Sequence, residues 1–143
     1  MSVEVRIAAL LRVAADDLAD ARALAKGKRR NAAYLAEQAA EKLIRAVLTS
    51  EAAHPGIKHD LVAMVDLVPD ANPIKPRLRA IEHLSQFATS FRYPTETGRV
   101  KPLPADLDQS IECIQIALDE AASAYGVDLS KADGVAARPG PIR

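Results

Sequence analysis

Four long stretches of the chain repeat apolar residues at steps of three and four positions. This spacing places apolar side chains on one face of an α-helix, whereas alternate spacing would indicate a strand. The predicted long helices span about 3–25, 29–49, 74–91 and 106–125, and a short helix spans about 59–68. The pattern therefore predicts an all-α fold, an antiparallel up-and-down four-helix bundle with a short additional helix.

The ends of the predicted helices carry recognisable signals. Gly27 follows the first helix as its expected C-cap. Asp106 is expected to cap the last helix through its side chain, with Gln109 completing a pair similar to a capping box. The helical periodicity stops after position 126, so we expect a bundle over 1–126 and a flexible C-terminal tail over 127–143.

The second predicted helix combines an apolar arc with a polar strip. The arc consists of Ala36, Ala39, Ala40, Leu43, Ile44, Ala46 and Val47. Its alanines would let a neighbouring helix approach closely, so the arc is expected in the core. On the other side, Gln38, Glu41, Lys42 and Arg45 line up at steps of three and four residues. This strip is either a ligand-binding surface or a solvated face with a Glu41–Arg45 pair worth about 0.3–0.5 kcal/mol.

Composition and charge restrict how the chain could bind a ligand. Aromatic residues make up 3% of the 143 residues, so aliphatic side chains and alanine must supply most of the core. Nineteen basic and nineteen acidic residues cancel, so net charge does not support RNA binding and a polyanion would need a local patch. The basic run at 26–30 is either a solvated loop or a patch that receives phosphates or an RNA backbone. No glycine-rich phosphate loop occurs, so a nucleotide would be held by side chains between helices.

Cysteine usage and apolar runs indicate the compartment. Cys113 has no second cysteine to pair with, which favours a reducing environment. The first residues have no signal-peptide pattern, and no apolar run approaches the roughly 20 residues that span a bilayer. We therefore expect a cytoplasmic protein without a membrane segment. Cys113 and the three histidines lack metal-ligand spacing, so neither a metal nor another cofactor is predicted.

Several separated segments resemble the HEPN family, helical domains associated with nucleotides and RNA. In chain order they are the Asp-Leu-Ala-Asp-Ala run at 17–21, the Tyr-x-x-x-Gln-Ala-x-Glu-Lys motif at 34–42, Lys-His-Asp-Leu at 58–61 and Phe-Arg-Tyr-Pro at 91–94. The resemblance runs from about position 14 to position 125. It implies a homodimer whose paired helices form a cleft for a nucleotide ligand.

The candidate ligand-binding residues combine the polar strip with two of these segments. They are Gln38, Glu41, Lys42, Arg45, His59, Asp60, Arg92 and Tyr93. Arg92 could hold a phosphate bidentately or stack on a base, or it could satisfy the last carbonyls of its helix. His59 and Asp60 either bind ligand or cap the helix that follows them.

Ribonucleases of the family carry an arginine, four to six intervening residues and a histidine. After Arg92, the corresponding positions 97–99 hold Thr, Gly and Arg, which cannot serve as a general acid or base near neutral pH. Arg77 and His83 have the required spacing, but a continuous helix would rotate one by about 240° relative to the other, which leaves them about 120° apart. The sequence therefore predicts that these two side chains do not converge, and no catalytic residue is identified.

Three functions remain open. The resemblance implies a nucleotide-binding or partner-binding module, acting as the accessory subunit of a separately encoded minimal nucleotidyltransferase in a two-component or toxin–antitoxin system. The second function is a metal-independent ribonuclease, in which Arg92 works with His59 or His83 of the same or the other subunit. The third is a pure dimerisation or scaffold domain, with the polar strip buried between subunits.

Overall fold

The computed structural model describes residues 1–57, 60–90, 93–94, 96–99, 102–131 and 136–143, apart from the side chains at 89 and 90. Its elements are α1 (Val3–Lys26), α2 (Asn31–Ser50), α3 (Leu61–Asp66), α4 (Lys75–Arg79), a 3-10 helix (Glu82–Gln86), α5 (Phe87–Ser90) and α6 (Leu107–Tyr125). Within these ranges every regular element is helical, which confirms the predicted all-α bundle. None of the described helices is long and apolar enough to cross a bilayer.

The helices α1 and α2 form an antiparallel hairpin. At the start of α1, the backbone N–H of Val5 donates to the Ser2 hydroxyl at 3.2 Å, which caps the helix. At its end, Gly27 is the C-cap as predicted, and Lys28 takes the left-handed conformation with φ of 52°. The chain therefore reverses within a few residues and brings the two longest helices into contact along their length.

The central element is α2. Each residue of its predicted apolar arc is fully buried, which confirms that assignment. The helix contacts α3, α5, α6 and the 3-10 helix in addition to α1. Because small alanine side chains cover much of its surface, several neighbours can approach its backbone at once.

The prediction that the third long helix is continuous is wrong. In place of one helix over 74–91, the chain forms α4, the 3-10 helix and α5 in succession. The reason lies in the spacing of the apolar residues: Leu78, Ile81, Leu84 and Phe87 are all buried and lie three positions apart. A helix with three residues per turn keeps such positions on one face, whereas an α-helix rotates them away from it.

The last helix, α6, has the predicted inner face, since Ile111, Ile114, Leu118, Ala121 and Tyr125 are all buried. Its predicted capping box is wrong. Asp106 has φ of −98° and ψ of 12° and makes no side-chain capping bond, because its backbone lacks the extended conformation of a capping residue. Gly126 ends the helix in the left-handed conformation, with φ of 68°.

The described parts of the C-terminal tail pack back on the bundle. Ala137 donates its backbone N–H to the Glu4 carbonyl at 3.0 Å, and Arg138 donates to the Tyr125 carbonyl at 2.7 Å. Val127 and Ala137 are 8% and 5% exposed. The tail therefore adds apolar cover to the ends of α1 and α6, while its predicted flexibility stays a prediction.

Candidate functional site

The polar strip of α2 is joined to α1 by an ion pair. Lys42 donates through Nζ to the Asp17 carboxylate and, at 3.3 Å, to Oε1 of Gln38. The Lys42 and Asp17 side chains are 25% and 18% exposed, so the pair is partly shielded from water. The strip is therefore part of the contact between two helices and does not simply face solvent.

Two carboxylates of this region lie inside the protein. Glu41 is 5% exposed, and its Oε1 accepts from Nη2 of Arg45 at 3.2 Å and from Nε at 3.4 Å. Glu37 is fully buried, and its Oε2 accepts from Nε2 of Gln38 at 2.8 Å. The same amide nitrogen lies 3.4 Å from Oε2 of Glu41. The interpretation of the strip as a solvated face is therefore wrong for Glu41.

Glu37 is absent from the predicted strip, although it lies four positions before Glu41 and thus on the same side of the helix. We call the six linked side chains the α1–α2 polar network: Asp17, Glu37, Gln38, Glu41, Lys42 and Arg45. Burying a carboxylate costs several kcal/mol unless hydrogen bonds replace its water. Apolar side chains at these positions would pack the two helices together without the free-energy cost of burying a charge. The network is therefore a candidate functional site.

A cavity of about 570 Å³ opens beside Lys42. Its lining residues are Met1, Arg6, Ala9, Leu10, Val13 and Lys42. This volume is within the range of small-molecule sites. Arg6 is exposed and forms no ion pair with any described residue. The cavity therefore combines an apolar wall from α1 with two cationic side chains.

The other motif residues do not all join this site. Asp60 caps α3, because its Oδ1 accepts from the backbone N–H of Val62 at 3.0 Å. This contact confirms the capping interpretation of Asp60, while a ligand role for it stays a prediction. Tyr93 is 59% exposed. His59 and Arg92 lie outside the described residues.

Arg77 and His83 are held apart by different residues of α6. Nε of Arg77 donates to Oε1 of Glu120 at 3.0 Å, and Nε2 of His83 lies 3.1 Å from Oγ of Ser110. These two partners are ten positions apart on one helix, which corresponds to about 15 Å at 1.5 Å per residue. The two side chains thus do not converge. The reason is that their partners lie at separate places on α6, and not that a continuous helix rotates them apart.

Metal-binding side chains do not cluster in the described part of the chain. No group of three or more histidine, cysteine, aspartate or glutamate side chains there could hold a metal ion. Cys113 is half-buried on α6 as a free thiol. The chemistry available in the described site is thus that of hydrogen bonds, charges and an apolar wall.

Comparison with known proteins places this fold in a family. The HEPN domain model matches residues 7–120, whereas no curated protein sequence matches the chain. The crystal structure of ST0689, an archaeal HEPN homologue, matches with a TM-score of 0.54 and 20% sequence identity, covering 86% of this chain and 98% of that one. At this identity the likeness concerns the fold alone. Because the family model spans most of the chain, this protein belongs to the HEPN domain family.

Proposed function

We propose that this HEPN domain is a nucleotide-binding module whose ligand occupies the cavity beside Lys42. The proposal depends mainly on one observation, that two cations and an apolar wall meet in a single cavity of about 570 Å³. A nucleotide needs both features, because its phosphates are anionic and its base has apolar faces. Membership of the HEPN family supports the proposal. The motif at 34–42 that carries the resemblance includes Lys42, and the resemblance implies a nucleotide ligand.

The hydrogen bonds of Lys42 favour a phosphate at this position. An ammonium group has three N–H donors, of which Asp17 and Gln38 accept two. The third has no acceptor among the described residues. Arg6 adds a planar guanidinium that can hold two phosphate oxygens at once. The Asp17 contact fixes the Lys42 side chain before ligand arrives, which lowers the entropy cost of binding.

The exposed apolar surface formed by Met1 and α1 favours a homodimer. Met1 is 93% exposed and Val13 is 43% exposed, and both line the cavity. A second copy packed on this face would bury them and close the cavity from one side. We further propose that the dimer is the accessory subunit of a separately encoded minimal nucleotidyltransferase. A pull-down that recovers no such protein would count against this partner.

Isothermal titration with ATP and GTP tests the nucleotide site, on protein whose oligomeric state has been fixed by light scattering. Lys42→Met keeps the aliphatic stem and should weaken binding about tenfold, the effect of one charge-assisted hydrogen bond. Lys75→Met is the matched control, because Lys75 also pairs with an aspartate, Asp70, and neither residue lines the cavity. A well-folded dimer that binds neither nucleotide would overturn the proposal.

The scaffold function predicts a different result. If the network only holds subunits together, Lys42→Glu should yield monomers without changing any ligand affinity. This reversal also places a carboxylate against Asp17, so the double variant Asp17→Asn/Lys42→Glu is the cleaner test. If the double variant remains a dimer but no longer binds ATP, the result favours the nucleotide site.

Ribonuclease activity receives no support from the described contacts, because Arg77 and His83 are each bonded to α6 at separate places. A ribonuclease that uses Arg92 is tested directly by incubating the protein with tRNA and mRNA. We expect both RNAs to stay intact, as with the Arg92→Ala variant. If the wild type cleaves RNA and Arg92→Ala does not, the protein is an enzyme and the proposed binding function is wrong.

A further inference from the structure

A second cationic surface lies at the turn between α1 and α2. Lys28, Arg29 and Arg30 are exposed there and line a cavity of about 610 Å³ together with apolar side chains. The turn follows the C-terminal end of α1, whereas Arg6 lies near its N-terminal end. Arg6 and Lys26 are twenty positions apart on α1, which corresponds to about 30 Å, and the two cavities share no lining residue. This surface is therefore separate from the cavity beside Lys42.

The charges of this turn are not neutralised within the described structure. None of Lys28, Arg29 and Arg30 forms an ion pair in the described part of the chain, whereas Arg22 and Arg77 each pair with a glutamate of α6. Although the whole chain has zero net charge, this turn carries a local excess of positive charge. Such an excess attracts anions and raises their local concentration.

The surface continues as a groove. A neighbouring cavity of about 430 Å³ shares Lys28, Pro102 and Leu103 with the first one and extends to Asp108. The lining of the groove combines the cations at 28–30 with apolar residues such as Leu24 and Leu103. A single small anion would need neither this length nor apolar lining residues. Asp108 repels phosphate, so phosphates would gather at the turn.

We propose that this groove binds the phosphate backbone of single-stranded nucleic acid. Lys28, Arg29 and Arg30 contact successive phosphates, and the bases lie against the apolar lining residues Leu24 and Leu103. Single-strand binding sites commonly combine a positive track with an apolar platform. Neutralising three phosphates gives log K a slope of about −2 against log salt concentration, because each single-strand contact contributes about −0.7.

Fluorescence anisotropy with a labelled oligouridine of about twelve nucleotides, between 50 and 200 mM salt, tests the proposal. Arg29→Glu should weaken binding roughly tenfold and flatten the salt slope by about 0.7 or more. Arg29 lies just before α2, where a carboxylate interacts favourably with the helix dipole, so the variant should fold at least as well as the wild type. Thermal unfolding would verify this.

Lys131→Glu is the matched control, since Lys131 is exposed and the substitution changes the charge equally. It should bind the oligouridine as the wild type does, and so should Lys42→Met, which separates this groove from the proposed nucleotide site. A wild type that does not bind at 50 mM salt would overturn the proposal. Equal losses of oligouridine binding in Arg29→Glu and Lys131→Glu would also overturn it. So would an Arg29→Glu variant that loses ATP binding but keeps oligouridine binding.

Discussion

Arg143 and Glu51 form a bidentate ion pair that fastens the tail to the end of α2. Nη1 of Arg143 lies 2.6 Å from Oε1 of Glu51, and Nη2 lies 3.0 Å from Oε2. Asn72, which is fully buried, donates to the same Oε1 at 3.0 Å. The hydrogen bond from Arg143 is the main cause that lowers the pKa of Glu51 below its ordinary value of 4.5. The tail contact is therefore sensitive to acid.

Removing this pair should destabilise the protein only where Glu51 is ionised. Because its folded-state pKa is depressed, Glu51 contributes stability above pH 4.5, and this contribution is lost as pH falls through the folded-state pKa. We expect Arg143→Ala to lower the midpoint of urea unfolding at pH 7, where Glu51 is ionised. Urea unfolding at pH 7 and pH 3 checks this. Arg143→Lys should lose less, and an equal loss for Arg143→Ala at both pH values would contradict the mechanism.

Gln38 should be more important for stability than an exposed glutamine. Its amide donates toward Oε2 of both Glu37 and Glu41, so Gln38→Leu takes a donor away from two buried carboxylates. The expected loss is about 1–3 kcal/mol in the free energy of unfolding, the cost of leaving a buried polar group short of a partner. Gln109→Leu, on the exposed side of α6, is the control and should change stability by less than about 0.5 kcal/mol. Equal midpoints in urea for the two variants would refute a stabilising role of the amide.

Gly126 should tolerate alanine less well than Gly140 does. Both glycines have positive φ, 68° and 83°, so alanine strains the backbone at each position. At Gly126 the added Cβ would also lie 2.8 Å from Nε of Arg138, whereas nothing lies within 4 Å at Gly140. We expect Gly126→Ala to cost about 1–2 kcal/mol and Gly140→Ala about 1 kcal/mol, measured by thermal unfolding. Identical losses would mean that the Arg138 side chain moves away freely.

Tyr125 should make the protein sensitive to alkali. Ser50 donates its hydroxyl to the Val47 carbonyl at 2.6 Å, so the Tyr125 hydroxyl, 2.6 Å from Ser50 Oγ, is the donor in their contact. Burial raises the pKa of Tyr125 above 10.0, so its contribution is complete below pH 10 and declines as pH rises through the folded-state value. Tyr125→Phe should cost about 1 kcal/mol at pH 7. Its stability should then fall less between pH 9 and pH 11 than that of the wild type, as followed by circular dichroism.

The long helices were predictable because each has a regular apolar face. The arc of α2 and the inner face of α6 are both buried as their spacing indicates. The 74–91 segment contains two patterns, since Leu78 fits a step of four from Ile74 but begins a series of three-residue steps to Phe87. A search for helical spacing favours the longer α-helix, whereas packing against α2 selects the tighter turns.

The candidate site was predictable only in part. The order of polar residues along α2 shows that Gln38, Glu41 and Lys42 share one side of the helix. Spacing within one helix contains no information about Asp17, which lies 25 positions before Lys42 and meets it only through the hairpin. Similarly, the basic run at 26–30 is visible in the sequence, but the groove that it forms with Pro102 and Leu103 depends on the tertiary fold.

The succession of α4, the 3-10 helix and α5 makes one wall of the bundle locally weak. Each piece has five residues or fewer, far below the length at which a helix is stable alone in water. These pieces are held by burial of side chains such as Leu84, so breaking a few contacts frees their backbone amides. Amide hydrogens of this wall should therefore exchange with deuterium through partial opening, while those of the α1–α2 hairpin exchange only when the whole domain unfolds. We therefore expect this wall to open without loss of the surface that contains the polar network.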